Sequence, residues 1–100
     1  MVTHIVLWKF LAEADGRSRA ENMQLAKEKL EALRGRIPGL LHIEVGLDTT
    51  GHPQAADVAL YTQLESWDAL ERYQKHPEHQ AVIPFMKKVV ESRTAADYES

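Results

Sequence analysis

Cysteine is absent from the 100 residues. Its absence excludes disulfides, thiolate nucleophiles and cysteine-based zinc or iron–sulfur sites, and it fits a reducing, cytoplasmic setting. No run approaches the ~20 consecutive apolar residues of a membrane-spanning helix, and the N-terminus lacks the charged start and apolar core of a signal peptide. Positive charge is not in excess: 12 Lys and Arg against 15 Asp and Glu leave a formal net charge of −3. Basic side chains alternate with acidic ones, as in Lys27-Glu28-Lys29 and Glu71-Arg72, so no basic stripe forms for nucleic acid. Arg17 with Arg19, and Arg34 with Arg36, are local spots of solvated surface. Also missing are a Walker lysine loop, a Gly-rich dinucleotide turn, a Gly-x-Ser-x-Gly elbow and a His-Glu-x-x-His helix. No pair of carboxylates suits glycoside hydrolysis. Nucleic acid, membrane, metal and cofactor are therefore all outside the expected set of partners.

What is present is an ordinary globular composition, 44% hydrophobic and 27% charged, in a length that makes one domain, residues 1–100. Val2–Phe10 is rich in β-branched and aromatic residues and reads as a strand. One face carries Val2, His4, Val6, Trp8 and Phe10, the other Thr3, Ile5, Leu7 and Lys9. Both are largely apolar, whereas a sheet in a small α+β domain normally leaves one face wet. A second copy of the chain is the simplest cover for the extra face. Ser18-Arg19-Ala20-Glu21 is a capping box, followed by Met23, Ala26, Leu30, Leu33 and Ile37 at helical spacing. This predicts one long amphipathic helix, stopped by Gly35 and Pro38-Gly39.

Leu40–Leu47 alternates, with Leu41, Ile43, Val45 and Leu47 on one face and His42 and Glu44 on the other. Asp48–Gln54 is turn chemistry, and Asp57–Leu64 a third strand. Ser66 caps a short helix carrying Trp67, Leu70 and Tyr73. His76-Pro77 starts another helix, Pro84 a further segment with Met86, Val89 and Val90, and Ser92–Glu99 forms a weak last strand. The order βαββαβ is the ferredoxin-like plan. It predicts an α+β domain with a four-stranded antiparallel sheet, helices on one face, and dimerisation through the other into an α/β barrel.

Several stretches carry a family resemblance. They are His4-Ile5-Val6-Leu7-Trp8-Lys9-Phe10, Ile37-Pro38-Gly39-Leu40, Glu44-Val45-Gly46, Asp57-Val58-Ala59-Leu60, Tyr73-Gln74-Lys75-His76-Pro77-Glu78-His79 and Asp97-Tyr98. Over essentially the whole chain this pattern resembles the Dabb family, the stress-responsive dimeric α/β barrel domains. The resemblance implies the fold and the homodimer, but most members have no assigned activity, and a shared fold does not name one. Some relatives are plant polyketide cyclases that close an aldol ring without cofactor, using a tyrosine and a histidine of the barrel pocket. By motif these correspond to Tyr73 and His79, with His4 nearby. Val58 stands where the cyclases have a further pocket histidine.

On physical grounds, His79 falls in the first turn of the helix begun by Pro77, where the helix dipole disfavours imidazolium. A neutral His79 can take a proton from carbon next to a carbonyl, with Tyr73 holding the developing enolate oxygen. Alternatively, His76 and His79 are capping and packing residues of a tight corner. His4 is a pocket residue or a satisfied core histidine. Trp8 and Phe10 are interface core or ligand-stacking residues, and with Val6 and Val58 they are the candidate pocket lining. His42 with Glu44, and His76 with His79, fall short of a metal site; His52 belongs to a surface loop. Two functions stay open. One is a stress-response module holding a small apolar or aromatic ligand in its barrel. The other is a cofactor-free enzyme using His79 and Tyr73, as a polyketide-cyclase-like catalyst or, more remotely, a monooxygenase.

Overall fold

The computed structural model describes residues 1–100. Strand β1 (Val2–Phe10) lies inside a four-stranded antiparallel sheet of order β4-β5-β1-β6. Its neighbours are β5 (Val58–Leu64) and β6 (Val90–Glu99), and β4 (Leu40–Leu47) forms one edge. Register decides which of the two apolar faces of β1 is the chain's own core. Val2, His4, Val6, Trp8 and Phe10 are all buried, and the first four stand opposite Leu64, Thr62, Leu60 and Val58 of β5. Helices cover this side. Ile5, Leu7 and Lys9 point the other way, where Leu7 is 41% exposed.

Before the first helix comes a hairpin that the sequence pattern did not announce, β2 (Glu13–Ala14) and β3 (Arg17–Ser18). Asp15 and Gly16 turn it with φ of 55° and 78°, the left-handed pair that short hairpins need. Fully buried Asn22 anchors it: its Nδ2 donates to the Ala14 carbonyl (3.0 Å), and its Oδ1 accepts from Arg17 Nε (2.7 Å). Helix α1 (Arg19–Glu31) starts at the expected capping box, Glu21 N–H donating to Ser18 Oγ and Ser18 N–H to Glu21 Oε1. It stops at Glu31 rather than running to Gly35. Leu33 and Ile37 still reach the core from the turns that follow.

Strand β4 departs from simple alternation. A register shift between Leu40 and His42 turns Leu41 outward, 51% exposed, whereas Ile43 and Val45 point into the core as expected. Its free edge is covered by side chains from α1 and the turn after it. Lys27 Nζ donates to the Val45 carbonyl (2.6 Å), Val45 N–H donates to Glu31 (3.1 Å), and Arg34 donates to the Ile43 carbonyl (2.6 Å). Such cover removes a template for stray strand pairing.

After β5, three short helices take the place of one: α2 (Trp67–Lys75), α3 (Pro77–Gln80) and α4 (Ile83–Val89). Ser66 and His76 cap the first two, and Pro77 and Pro84 sit in the opening turns of the last two. Leu70 and Tyr73 are buried, but Trp67 is 46% exposed. It sits at the very start of α2, and its indole N–H donates to Glu99 at the end of the sheet (2.8 Å). No helix is long and apolar enough to cross a membrane.

Candidate functional site

A cavity of about 560 Å³ opens between the sheet and the helices, within the range of small-molecule sites. Val6, Trp8 and Leu60 line it from the sheet, Leu30 and Met86 from the helices, and Val82 from the turn between α3 and α4. Sequence reasoning placed the ligand in the barrel between two sheets. The cavity instead belongs to a single protomer, because the Trp8 face is the one the helices cover. Of the expected lining residues, Val6 and Trp8 reach the cavity. Phe10 and Val58 do not line it; each is 1% exposed in the packed core beyond.

Polar groups are few. His4, on β1, and His79, in α3, both line the cavity. His4 is buried, and its Nδ1 pairs with Asp97 Oδ1 on β6, the residue directly across the ladder. A carboxylate on Nδ1 fixes the ring's orientation and its tautomer, leaving Nε2 as the lone pair of the neutral ring. His79 is half-buried and its Nδ1 finds no partner in the chain. Burial holds its imidazolium below the ordinary histidine range, and nearby His4, Arg93 and His76 push the same way against the Gln74 backbone carbonyl. The cause differs from the helix dipole inferred from sequence, since a four-residue helix has little dipole to offer.

Tyr73 is fully buried and does not line the cavity. Its ring packs at 4.6 Å from that of His79 and 6.1 Å from that of His4. Its hydroxyl has no hydrogen-bond partner in the chain, and burial pushes the phenol far above its usual range. Thus His4 of β1 meets the neighbouring pair Tyr73 and His79 in one edge-on and tilted aromatic cluster, with Tyr73 behind the cavity wall. His76 stays with the corner, its Nδ1 accepting from the Glu78 N–H (3.1 Å). His42 and Glu44 face each other at 3.7 Å on the exposed sheet face, and His52 Nδ1 accepts from Gln54 N–H in its loop. No group of three or more His, Asp or Glu is placed to hold a metal ion.

Four polar residues at the site were not singled out from sequence for any chemistry: Asp97, Gln74, Lys87 and Arg93. Gln74 was legible only as the neighbour of Tyr73. The other three come from β6 and α4, and nothing local signals that they meet β1.

The chain matches the stress responsive A/B barrel domain over residues 2–100. It is 36% identical over 100 residues to an uncharacterized protein of Streptomyces coelicolor, covering 99% of each. A dimeric protein of unknown function with a ferredoxin-like fold from Bacteroides fragilis is 34% identical, with a TM-score of 0.87 over 99% of this chain and 95% of that one. A second dimeric ferredoxin-like protein, from Thermobifida fusca, is 26% identical, with a TM-score of 0.78 over 99% and 90% of the two chains. The ferredoxin-like sheet, the Tyr73–His79 corner and these likenesses converge: the chain belongs to the stress responsive A/B barrel domain (Dabb) family.

Proposed function

We propose that the chain works as a homodimer in which each protomer holds a small, mainly apolar carbonyl compound, aromatic or ketide-like, and moves a proton on it without a cofactor. One observation carries this reading: His79 and His4, the latter held by Asp97 from behind, open onto the same cavity, whose other walls are chiefly apolar. His79, held neutral by burial, takes a proton from the carbon next to the carbonyl. The electron pair of the broken C–H bond moves to the carbonyl oxygen, giving an enolate. His4, oriented by Asp97, offers its Nε2 lone pair to the same cavity, and the imidazolium of His79 returns the proton to the enolate carbon. An aldol closure balances in the same way, the enolate carbon attacking a second carbonyl and the alkoxide taking the proton from His79. Tyr73 acts from behind, as a positioning residue whose ring fixes the His79 imidazole.

The homodimer rests on the face that the helices leave bare. Ile5 and Leu7 of β1, with Ala59 and Tyr61 of β5 beside them, are only partly covered by their own chain, and burying them against a copy is favourable. The two relatives described as dimeric support it. A ligand-binding module that performs no chemistry is the second reading, favoured by the burial of the Tyr73 hydroxyl away from the cavity.

The test is hydrogen–deuterium exchange at the carbon next to the carbonyl of small aromatic ketones, alongside NMR of the His4 and His79 rings. The expected result is catalysed exchange that disappears in His79→Gln, with both rings shifting as ligand enters. Ring shifts without exchange leave the binding module; no shift with any ketone overturns the cavity as a ligand site.

A further inference from the structure

Two cationic side chains, Lys87 of α4 and Arg93 of β6, line the cavity, and no aspartate or glutamate does. Both are exposed where they line it, so each keeps its charged end in solvent and can meet an entering ligand. Lys87 and Arg93 take part in none of the ion pairs. The nearest acid on the cavity side of β6, Asp97, is engaged by His4.

Register places Arg93 firmly. It stands opposite Trp8, whose side chain lies on the helix-covered face, so Arg93 belongs to the cavity and not to the bare face assigned to the dimer. An arginine fork matches a carboxylate with two parallel hydrogen bonds, and a lysine beside it adds a point charge. Positive charges at a low-dielectric concavity also concentrate anions there.

We propose that the cavity takes its ligand as a carboxylate: a small aromatic or ketide-like acid whose carboxylate sits on Arg93 and Lys87 and whose body lies along Trp8, Val6 and Met86. This names the ligand class of the cavity described above and rests on that reading. It also orients the ligand, since an anchored carboxylate fixes which carbon of the chain faces His79.

Calorimetry on the full chain tests it, with 2-naphthoate, its neutral amide 2-naphthamide, and 2-naphthyl phosphate as probes, and the His79 ring resonance confirming entry. The acid is expected to bind about 10-fold more tightly than the amide at low ionic strength, with the advantage shrinking as salt is added. In the double variant Lys87→Gln, Arg93→Gln the two affinities are expected to converge while the amide keeps its own. Equal affinities in the unaltered chain, an acid advantage that survives the double substitution, or tighter binding of the phosphate each overturn the carboxylate assignment. Equal binding of acid and amide leaves the cavity reading standing. If no naphthyl probe binds or shifts His79, the cavity reading falls too.

Discussion

Tyr73 has a buried hydroxyl with no hydrogen-bond partner in the chain, while its ring packs against the two histidines of the site. An orphan buried hydroxyl is a stability cost of about 1–3 kcal/mol, so removing it is neutral or favourable. Tyr73→Phe is therefore expected to keep or raise the melting temperature and to retain most of the exchange activity; Tyr73→Ala is expected to lose both. A large loss of turnover in a stable Tyr73→Phe would instead put the hydroxyl on the substrate. His79 sets the acid limb. Its folded-state affinity for a proton is depressed, so the unfolded chain binds the proton more tightly. The stability linked to this group is fully present above its unperturbed pKa of about 6.5 and is lost as pH falls through the lower folded value. Melts from about pH 7.5 down to pH 5 should thus show a steeper decline for the unaltered chain than for His79→Gln. Exchange activity should fall along the same acid limb.

At the scale of elements, two small details hold large pieces in place. Gly39 has φ of +86°, and a Cβ there would come within 2.8 Å of the Ala69 Cβ, so the start of β4 and helix α2 can touch only at a glycine. Gly39→Ala is expected to cost at least about 1 kcal/mol in chemical denaturation, from the left-handed backbone alone. Asn22→Ala leaves the Ala14 carbonyl and Arg17 without their partner and should cost about 1–3 kcal/mol. These details also mark the limit of what the sequence discloses. β1, β5 and the capped starts of α1, α2 and α3 were legible because their signals are local: β-branched runs, a capping box, proline after histidine. The β2–β3 hairpin was not, because two-residue strands leave no alternation to detect. Leu41 was assigned to the wrong face because a single register shift reverses a strand's pattern. The pairing of His4 with Asp97 was illegible for a different reason. It depends on the register of β6 against β1, which no nearby residue specifies.

For the whole molecule, the open question in the sequence was which face of β1 meets its own helices. The Trp8 face does, which leaves Leu7 at 41% exposure on the bare side. Leu7→Arg is expected to split the proposed dimer without unfolding the protomer, read as a halved mass in sedimentation with unchanged circular dichroism. An unchanged mass would place the contact elsewhere. The strand order has one more consequence. β1 is hydrogen-bonded only to β5 and β6, both made much later on the ribosome, and Arg93 and Asp97 come from the last strand of all. β1 therefore waits, with its strand partners missing, until β6 has been synthesised. No partial chain has a site. Ligand can add to stability only after the final strand has docked, so it selects finished molecules and gives no help to nascent ones.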